Sequence, residues 1–375
     1  MRVGPEATPG PEPVLARPDQ GAQLPFTAMP PRLARLLAVI AALAMIGGAL
    51  YYRGRGGSDG PPSNPTGTTQ PTVRNGQLTI VCVTELADVC DAIAKADDDV
   101  EVTVEDAGTT AATLAKASLA NPPFDAWITL APWPQMVDAG RTATNLPSAF
   151  PAAATTVASS PLAAVMDADR FRALTTVCPT KTWACVAGKA GQSWADIAPS
   201  TPAAAGWGTF KVGVGDPDSA LGRLVFGQIV QSVARAEKLG SDPGVDDFGD
   251  SLMTLSAPAL STGQATSDDQ LLQLITQRGS LSLVAATASA ASRFTATRAA
   301  QQQSLQAVTF EPAARADVVV APLVAGQRAE KVVALFTDDQ GQQLLDVDGW
   351  APGAPKGSNG MPAADVLAAL RSKIR

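Results

Sequence analysis

Residues 78–104 read LTIVCVTELADVCDAIAKADDDVEVTV, and the hydrophobic periods in that stretch decide the fold class. Leu78–Val83 is a short, apolar, β-rich run, as a buried strand requires. Leu86, Val89, Cys90 and Ile93 then recur at three- and four-residue spacing, which places one apolar face along a helix over Leu86–Ala96. Val100–Val104 alternates as VEVTV, a strand of period two. Strand, helix and strand in immediate succession make one βαβ unit.

The alternation continues outward. Gly108-Thr109-Thr110 opens a helix over Ala111–Ser118, and Phe124–Leu130 is a third strand. Ala131–Asp138 begins another helix, with Pro132 and Pro134 tolerable near its start. Leu162–Met166, Lys211–Val214, Leu281–Ala285 and Val318–Pro322 are further apolar strands. Ser193 is placed to cap a short helix, SWADI. Ala220–Leu239 is a long amphipathic helix with Leu221, Leu224, Val225, Ile229 and Val233 on one face. Ala329–Leu345 is a helix with Val332, Val333, Leu335, Phe336 and Leu344 inward. The pattern predicts an α/β body with a mostly parallel sheet. Residues 77–375 are about twice the length of a typical domain, so one bilobal body or two domains is expected.

The segment before this body divides into three. Residues 1–31 carry Pro5, Pro9, Pro11, Pro13, Pro18, Pro25, Pro30 and Pro31, a spacing that leaves no helical or strand period and predicts a disordered, cytoplasmic tail. Leu36–Tyr52 is an uncharged apolar run of 17 residues. At about 1.5 Å per residue it falls slightly short of a hydrocarbon core of about 30 Å, and Leu33 and Ala34 close the gap if Arg35 snorkels. Tyr51 and Tyr52 sit where an interfacial aromatic belt belongs. A cleaved signal or a buried helix is the competing reading. The flank LYYRGRGG offers no convincing small-x-small cleavage site, so residues 33–52 are expected to form a single transmembrane anchor. Residues 53–76 are a Gly/Pro/Ser/Thr linker.

Flanking arginines do not orient the anchor, since Arg32 and Arg35 balance Arg53 and Arg55. The cysteines do. Four of them fall into two close pairs, Cys82/Cys90 and Cys178/Cys185, and four cysteines allow three connectivities. Local pairing is the cheapest, and two disulfides would place the C-terminal body outside the cytoplasm, with the N-terminus inside. Four buried free thiols are the competing reading.

Composition excludes much chemistry. The chain has no histidine, which removes the commonest general base and metal ligand, and with them a Ser-His-Asp triad, a Cys-His pair and an HExxH site. The 28 Lys+Arg against 35 Asp+Glu give a net charge of −7, which argues against nucleic acid as a partner. A carboxylate enzyme such as a glycosidase would need Asp246, Asp247 and Asp250 or Asp338 and Asp339. No aromatic sugar platform accompanies them, and both tyrosines of the chain precede residue 53. No catalytic residue, metal site or cofactor is expected.

Three strand-to-helix turns carry small polar residues: Thr84-Glu85, Gly108-Thr109-Thr110 and Asp218-Ser219-Ala220. In an open α/β sheet such turns lie at the carboxyl ends of strands, where ligands bind, and helix N-termini offer free N–H donors. Ordinary capping explains any one of them alone.

Five stretches in order carry a resemblance. They are DAGTTAATLA, FDAWITLAPWPQMVD, SSPLAAVMDADRFRAL, SWADIA with KVGVGDPDSALGRL, and VVVAPLVAG with KVVALFTDDQGQQLLDVDGW. From Leu78 to about Gly349 the chain resembles a type 2 periplasmic solute-binding protein, nearest the branch with molybdate-type binders and their envelope relatives. The resemblance implies a bilobal α/β fold, lobe one of 77–158 and 306–375 and lobe two of 159–305, joined by two hinge crossovers. It implies a small molecule or ion in the interlobe cleft, an ABC permease or an envelope protein as partner, and no catalysis. Its site residues would be Thr84, Glu85, Gly108, Thr109, Thr110, Ser160 in the hinge stretch, Ser219, Ala220 and Thr287. An envelope scaffold that kept the fold and lost its solute is the alternative. Glu85 departs from the neutral first turn of oxyanion binders. A carboxylate facing a dehydrated oxyanion is costly, so Glu85 either points to solvent or meets a cationic ligand. Trp133, just after the third strand, either stacks on a solute or belongs to the core.

Overall fold

A computed structural model of the chain describes residues 76–118, 120–236 and 266–368. The tail, the anchor, nearly all of the linker and the Asp246–Asp250 cluster lie outside the described residues. Among the described residues no helix is long and apolar enough to cross a membrane.

The opening unit folds as its periodicity requires. Strand β1 (Leu78–Val83) leads through a 3-10 turn (Thr84–Leu86) into α1 (Ala87–Ala96), then β2 (Val100–Glu105). β1 and β2 pair in parallel from Leu78↔Val100 to Val83↔Glu105. Leu86, Val89, Cys90 and Ile93 are all buried. Cys82 on the strand is bonded to Cys90 on the helix, with Cα atoms 6.6 Å apart. Cys178 is bonded to Cys185 in the same local manner.

Helix α2 (Ala107–Leu114) starts four residues earlier than the sequence suggests. β3 (Ala126–Leu130), fully buried, is followed by α3 (Trp133–Ala143). β4 (Thr155–Asp167) is far longer than the LAAVM core that announces it. After it come α4 (Ala168–Val177), α5 (Trp183–Lys189), α6 (Trp194–Ile197) and the short β5 (Val212–Gly213). Ser193 caps α6 by accepting from Ala195 N. α7 (Ala220–Ala236) is followed by α8 (Ser267–Thr276), β6 (Leu283–Thr287), α9 (Ala288–Thr295), α10 (Arg298–Gln302), β7 (Leu305–Val308) and β8 (Arg315–Pro322). The single helix expected over Ala329–Leu345 is two, α11 (Gln327–Thr337) and α12 (Asp339–Val347). Asp338 separates them because its carboxylate accepts from Gly341 N and caps α12. That capping accounts for one of the two carboxylates of the Asp338-Asp339 pair. β9 (Ala351–Pro352) ends the order.

The sheet is mixed, not mostly parallel. Its strand order is β2-β1-β3-β8-β4-β6-β5, with β7 and β9 also on β4. β1 is parallel to β2 and β3, and β5 to β6, whereas β8 and β4 run antiparallel to their neighbours. The reason is the length of β4. Its first half, Thr155–Pro161, pairs with β8, and its second half, Leu162–Asp167, pairs with β6 and β7. One strand therefore serves two sheet portions, here called the β1 side and the β6 side. A direction set by one portion need not match the βα winding of the other.

Candidate functional site

The β1 side contributes the turn after β1. Thr84 Oγ1 donates to Glu85 Oε2 at 3.2 Å. Glu85 is half-buried and points inward: its Oε1 accepts from Leu221 N, on the opposite side, at 2.8 Å. Leu221 is the second residue of α7, so a carboxylate of this chain occupies the donor end of that helix, where charge and dipole favour an anion. Burial is the main cause that pushes the Glu85 carboxyl above its ordinary pKa. The bonds from Leu221 and Thr84 act the other way, and the charge of Asp106 adds to the rise.

The loop before α7 is held from several directions. Arg223, fully buried, donates from Nε to Pro217 O at 2.7 Å and from Nη2 to Asp218 Oδ1 at 3.2 Å. Its guanidinium lies 5.2 Å from the Trp133 ring centroid, and Trp133 Nε1 donates to Ala220 O at 3.1 Å. Gly215, with φ +78°, donates to Gln270 Oε1 at 3.1 Å. These bonds fix the position of Leu221 N.

Glu85, Thr84 and Leu221 line a cavity of about 60 Å³ together with Thr266, Ser267, Asp268, Thr287, Ser289, Ala290, Arg293 and Trp350. Thr287 caps α9 by accepting from Ala290 N and shares a 2.8 Å hydrogen bond with Ser289 Oγ. Arg293 Nη1 lies 2.9 Å from Asp348 Oδ1, and Trp350 Nε1 donates to Asp348 Oδ2 at 3.0 Å. Burial also raises the pKa of Asp348, and Arg293 opposes that rise without cancelling it.

The structure thus brings Thr84, Glu85 and Thr287 together around one cavity. The other sequence candidates lie elsewhere. Ser160 Oγ accepts from Ser289 N at 3.0 Å, behind the cavity wall. Ser219 is consumed by its own helix, donating to Asp216 O and accepting from Gly222 N. Ala220 meets Trp133 through its carbonyl. Gly108, Thr109 and Thr110 are in the first turn of α2 rather than in a loop. Gly108 N donates to Asp218 O at 2.8 Å, and a Cβ on Gly108 would lie 2.6 Å from Asp218 Cβ. Thr110 Oγ1 donates to Glu105 Oε2 at 2.6 Å. The Gly108 N–H and the Thr110 hydroxyl thus serve the contact between the two sides and the scaffold instead of the cavity, and Thr109 is exposed. Trp133 is a core residue, 1% exposed and packed edge-on against Trp127.

Thr266, Ser267, Asp268, Ser289, Arg293 and Trp350 are lining residues that the sequence did not single out. Trp350 closes the DVDGW stretch already quoted, and a lone Trp after a Gly was the available signal. Nothing in the sequence near Arg293 distinguishes it from any other helical arginine. Among the described residues no group of three or more His, Cys, Asp or Glu is arranged to hold a metal ion.

No family model matches the chain, and no curated sequence matches it. Solved structures do. The chain is similar to iron-bound HitA from Pseudomonas aeruginosa, with 12% identity over 80% of this chain and 97% of that one and a TM-score of 0.49. It is similar to the periplasmic binding protein AfuA from Actinobacillus pleuropneumoniae, with 14% identity over 80% and 97% and a TM-score of 0.48. It is also similar to the sulfate-binding protein SubI from Mycobacterium tuberculosis, with 12% identity over 80% and 91% and a TM-score of 0.43.

Proposed function

We propose that the chain is a non-catalytic, extracytoplasmic solute-binding protein. Residues 33–52 anchor it in the cell membrane with the N-terminus cytoplasmic, and an ABC permease or a sensing partner receives the solute. One observation carries the proposal: polar groups from both sides of a shared strand converge on a single cavity. Thr84, Glu85 and Trp350 come from the β1 side, and Ser267, Thr287, Ser289 and Arg293 from the β6 side. Residues joined through β4 and β8 are suited to open and close by a hinge at those strands. A molybdate-type oxyanion is not the solute proposed, because Glu85 already holds the helix end that would take it.

A thermal-shift panel of oxyanions, amino acids, amines and small sugars tests this, paired with small-angle scattering. A solute should raise the melting temperature in proportion to ln(1 + [L]/Kd) and contract the body. The second reading, an envelope interaction module without a solute, draws on the Glu85–Leu221 bond, which fills the site from within. No hit and no contraction would favour that reading.

A further inference from the structure

The charges around the cavity are unequal. Among the described residues, Glu85, Asp268 and Asp348 face it or stand at its wall, against Arg293 alone. Asp88 adds to the same field at Asp348. Behind Thr84 lies a second acidic group, in which Asp106 feels Asp216, Asp218 and Glu105. Of these, Asp218 is paired with Arg223. Like-charged carboxylates drawn together at a partly dehydrated site are stabilised by an added cation.

An independent observation points to an occupant. Ser267 is 4% exposed, lines the cavity, and its Oγ has no hydrogen-bond partner. A buried hydroxyl left unpaired costs free energy that an occupant with a donor would recover. It stands in the first turn of α8, whose cap Thr266 is already spent on Asp269. Thr84, Thr287 and Ser289 add further hydroxyls to the wall.

We infer that the cavity binds the primary ammonium group of an organic amine, held by Glu85, Asp268 and the Ser267 hydroxyl. This rests on the solute-binding function proposed above and names its solute class. An ammonium donates three hydrogen bonds at ordinary N–H···O distances and suits scattered hydroxyl and carboxylate acceptors. A metal ion would need a tighter oxygen cage than the described residues supply. The volume sets the depth of entry. About 60 Å³ exceeds the roughly 10–15 Å³ that a single water needs but is far too little to enclose a whole organic solute. It admits the ammonium end of the solute, and the rest stays at the mouth beside exposed Asp268.

The test is calorimetric and thermal-shift titration of the full chain in detergent with ammonium, methylammonium and putrescine chlorides. Sodium chloride, potassium chloride, sodium acetate and sodium sulfate serve at matched ionic strength. The amines should stabilise the protein above the sodium chloride baseline, and the other salts should not. Glu85→Gln and Ser267→Ala should each weaken amine binding, Glu85→Gln by about tenfold or more, since a charge-assisted bond is lost. Ser267→Ala removes a single oxygen and leaves the fold intact, so a loss there is a binding effect. Equal stabilisation by potassium would overturn the ammonium assignment in favour of an inorganic cation. Stabilisation by acetate or sulfate in place of the amines would overturn it and leave solute binding standing. Silence from every compound would count against both.

Discussion

Glu85→Gln separates the charge of that carboxyl from its hydrogen bond. The amide keeps an oxygen where Glu85 Oε1 accepts from Leu221 N at 2.8 Å, and its nitrogen faces Thr84 Oγ1, which can accept. Only the ionisation is lost. The folded pKa of Glu85 lies above the ordinary value of 4.5, with burial the largest cause. A carboxyl in that position binds its proton more tightly in the native state than in the unfolded chain. Its stabilising contribution is complete below about pH 4.5 and is lost as pH rises through the folded value. Over that window the native state holds at most one extra proton at this residue. The slope it adds therefore cannot exceed about 1.4 kcal/mol per pH unit. Urea unfolding at half-unit steps from about pH 4.5 to about pH 7.5, at fixed ionic strength, measures it. The two proteins should be nearly equal at the acid end, with the wild type falling below the variant as pH rises. The difference between the curves cancels every group not coupled to Glu85, and the chain has no histidine to titrate in the same range. Parallel curves would refute the burial argument and with it the placement of Glu85 between the two sides.

Other expectations follow from single contacts. Asp125 is 2% exposed and accepts from Thr79 N at 2.8 Å and from Arg328 Nη2 at 2.6 Å. Asp125→Ala leaves the Thr79 N–H unmatched and takes the carboxylate from Arg328, which keeps Gln77 O, and should cost about 2–3 kcal/mol in chemical unfolding; a loss below about 1 kcal/mol would show that the pair is solvated. Replacing Cys82 and Cys90 together by Ala should cost about 2–3 kcal/mol, the entropy of freeing a short loop, and should weaken solute binding as the Thr84-Glu85 turn loosens. Unchanged affinity at reduced stability would confine the bridge to a folding role. Gly108→Ala should destabilise by about 1–3 kcal/mol, because its Cβ must displace Asp218, and a neutral result would mean that the two sides stand farther apart in solution.

The local parts of the fold were legible and the distant pairings were not. The β1-α1-β2 unit, the cap at Ser193 and the buried face of α7 follow from periods and caps that neighbours in sequence set. The direction of β8 and the length of β4 depend on partners far along the chain, so VVVAP and LAAVM looked like members of a parallel sheet. The break at Asp338 could have been seen, since an aspartate followed by Asp-Gln-Gly is a fair helix start. The apolar residues on both sides of it kept a continuous helical spacing and masked it. At the cavity, Thr84 and Glu85 were candidates because strand-to-helix turns attract attention, and Thr287 because of the family resemblance. Gly108 and Ser219 were candidates as turn residues and Ser160 as part of the hinge stretch of the resemblance, and each spends its bonds on the scaffold. Ser267 and Arg293 belong to helices that reach the cavity only through tertiary packing.

The tryptophans give the molecule a built-in optical readout. All six lie among the described residues, and both tyrosines of the chain do not. Ultraviolet emission from the body is therefore tryptophan light alone. Trp127, Trp133, Trp183 and Trp194 are at most 1% exposed and Trp207 is half-buried; all five stand away from the cavity wall, while Trp350 lines it. Those five supply a constant background, and a solute entering the cavity alters the surroundings of one indole whose N–H is already tethered to Asp348. Occupancy becomes visible as a change in a single emitter, without a label.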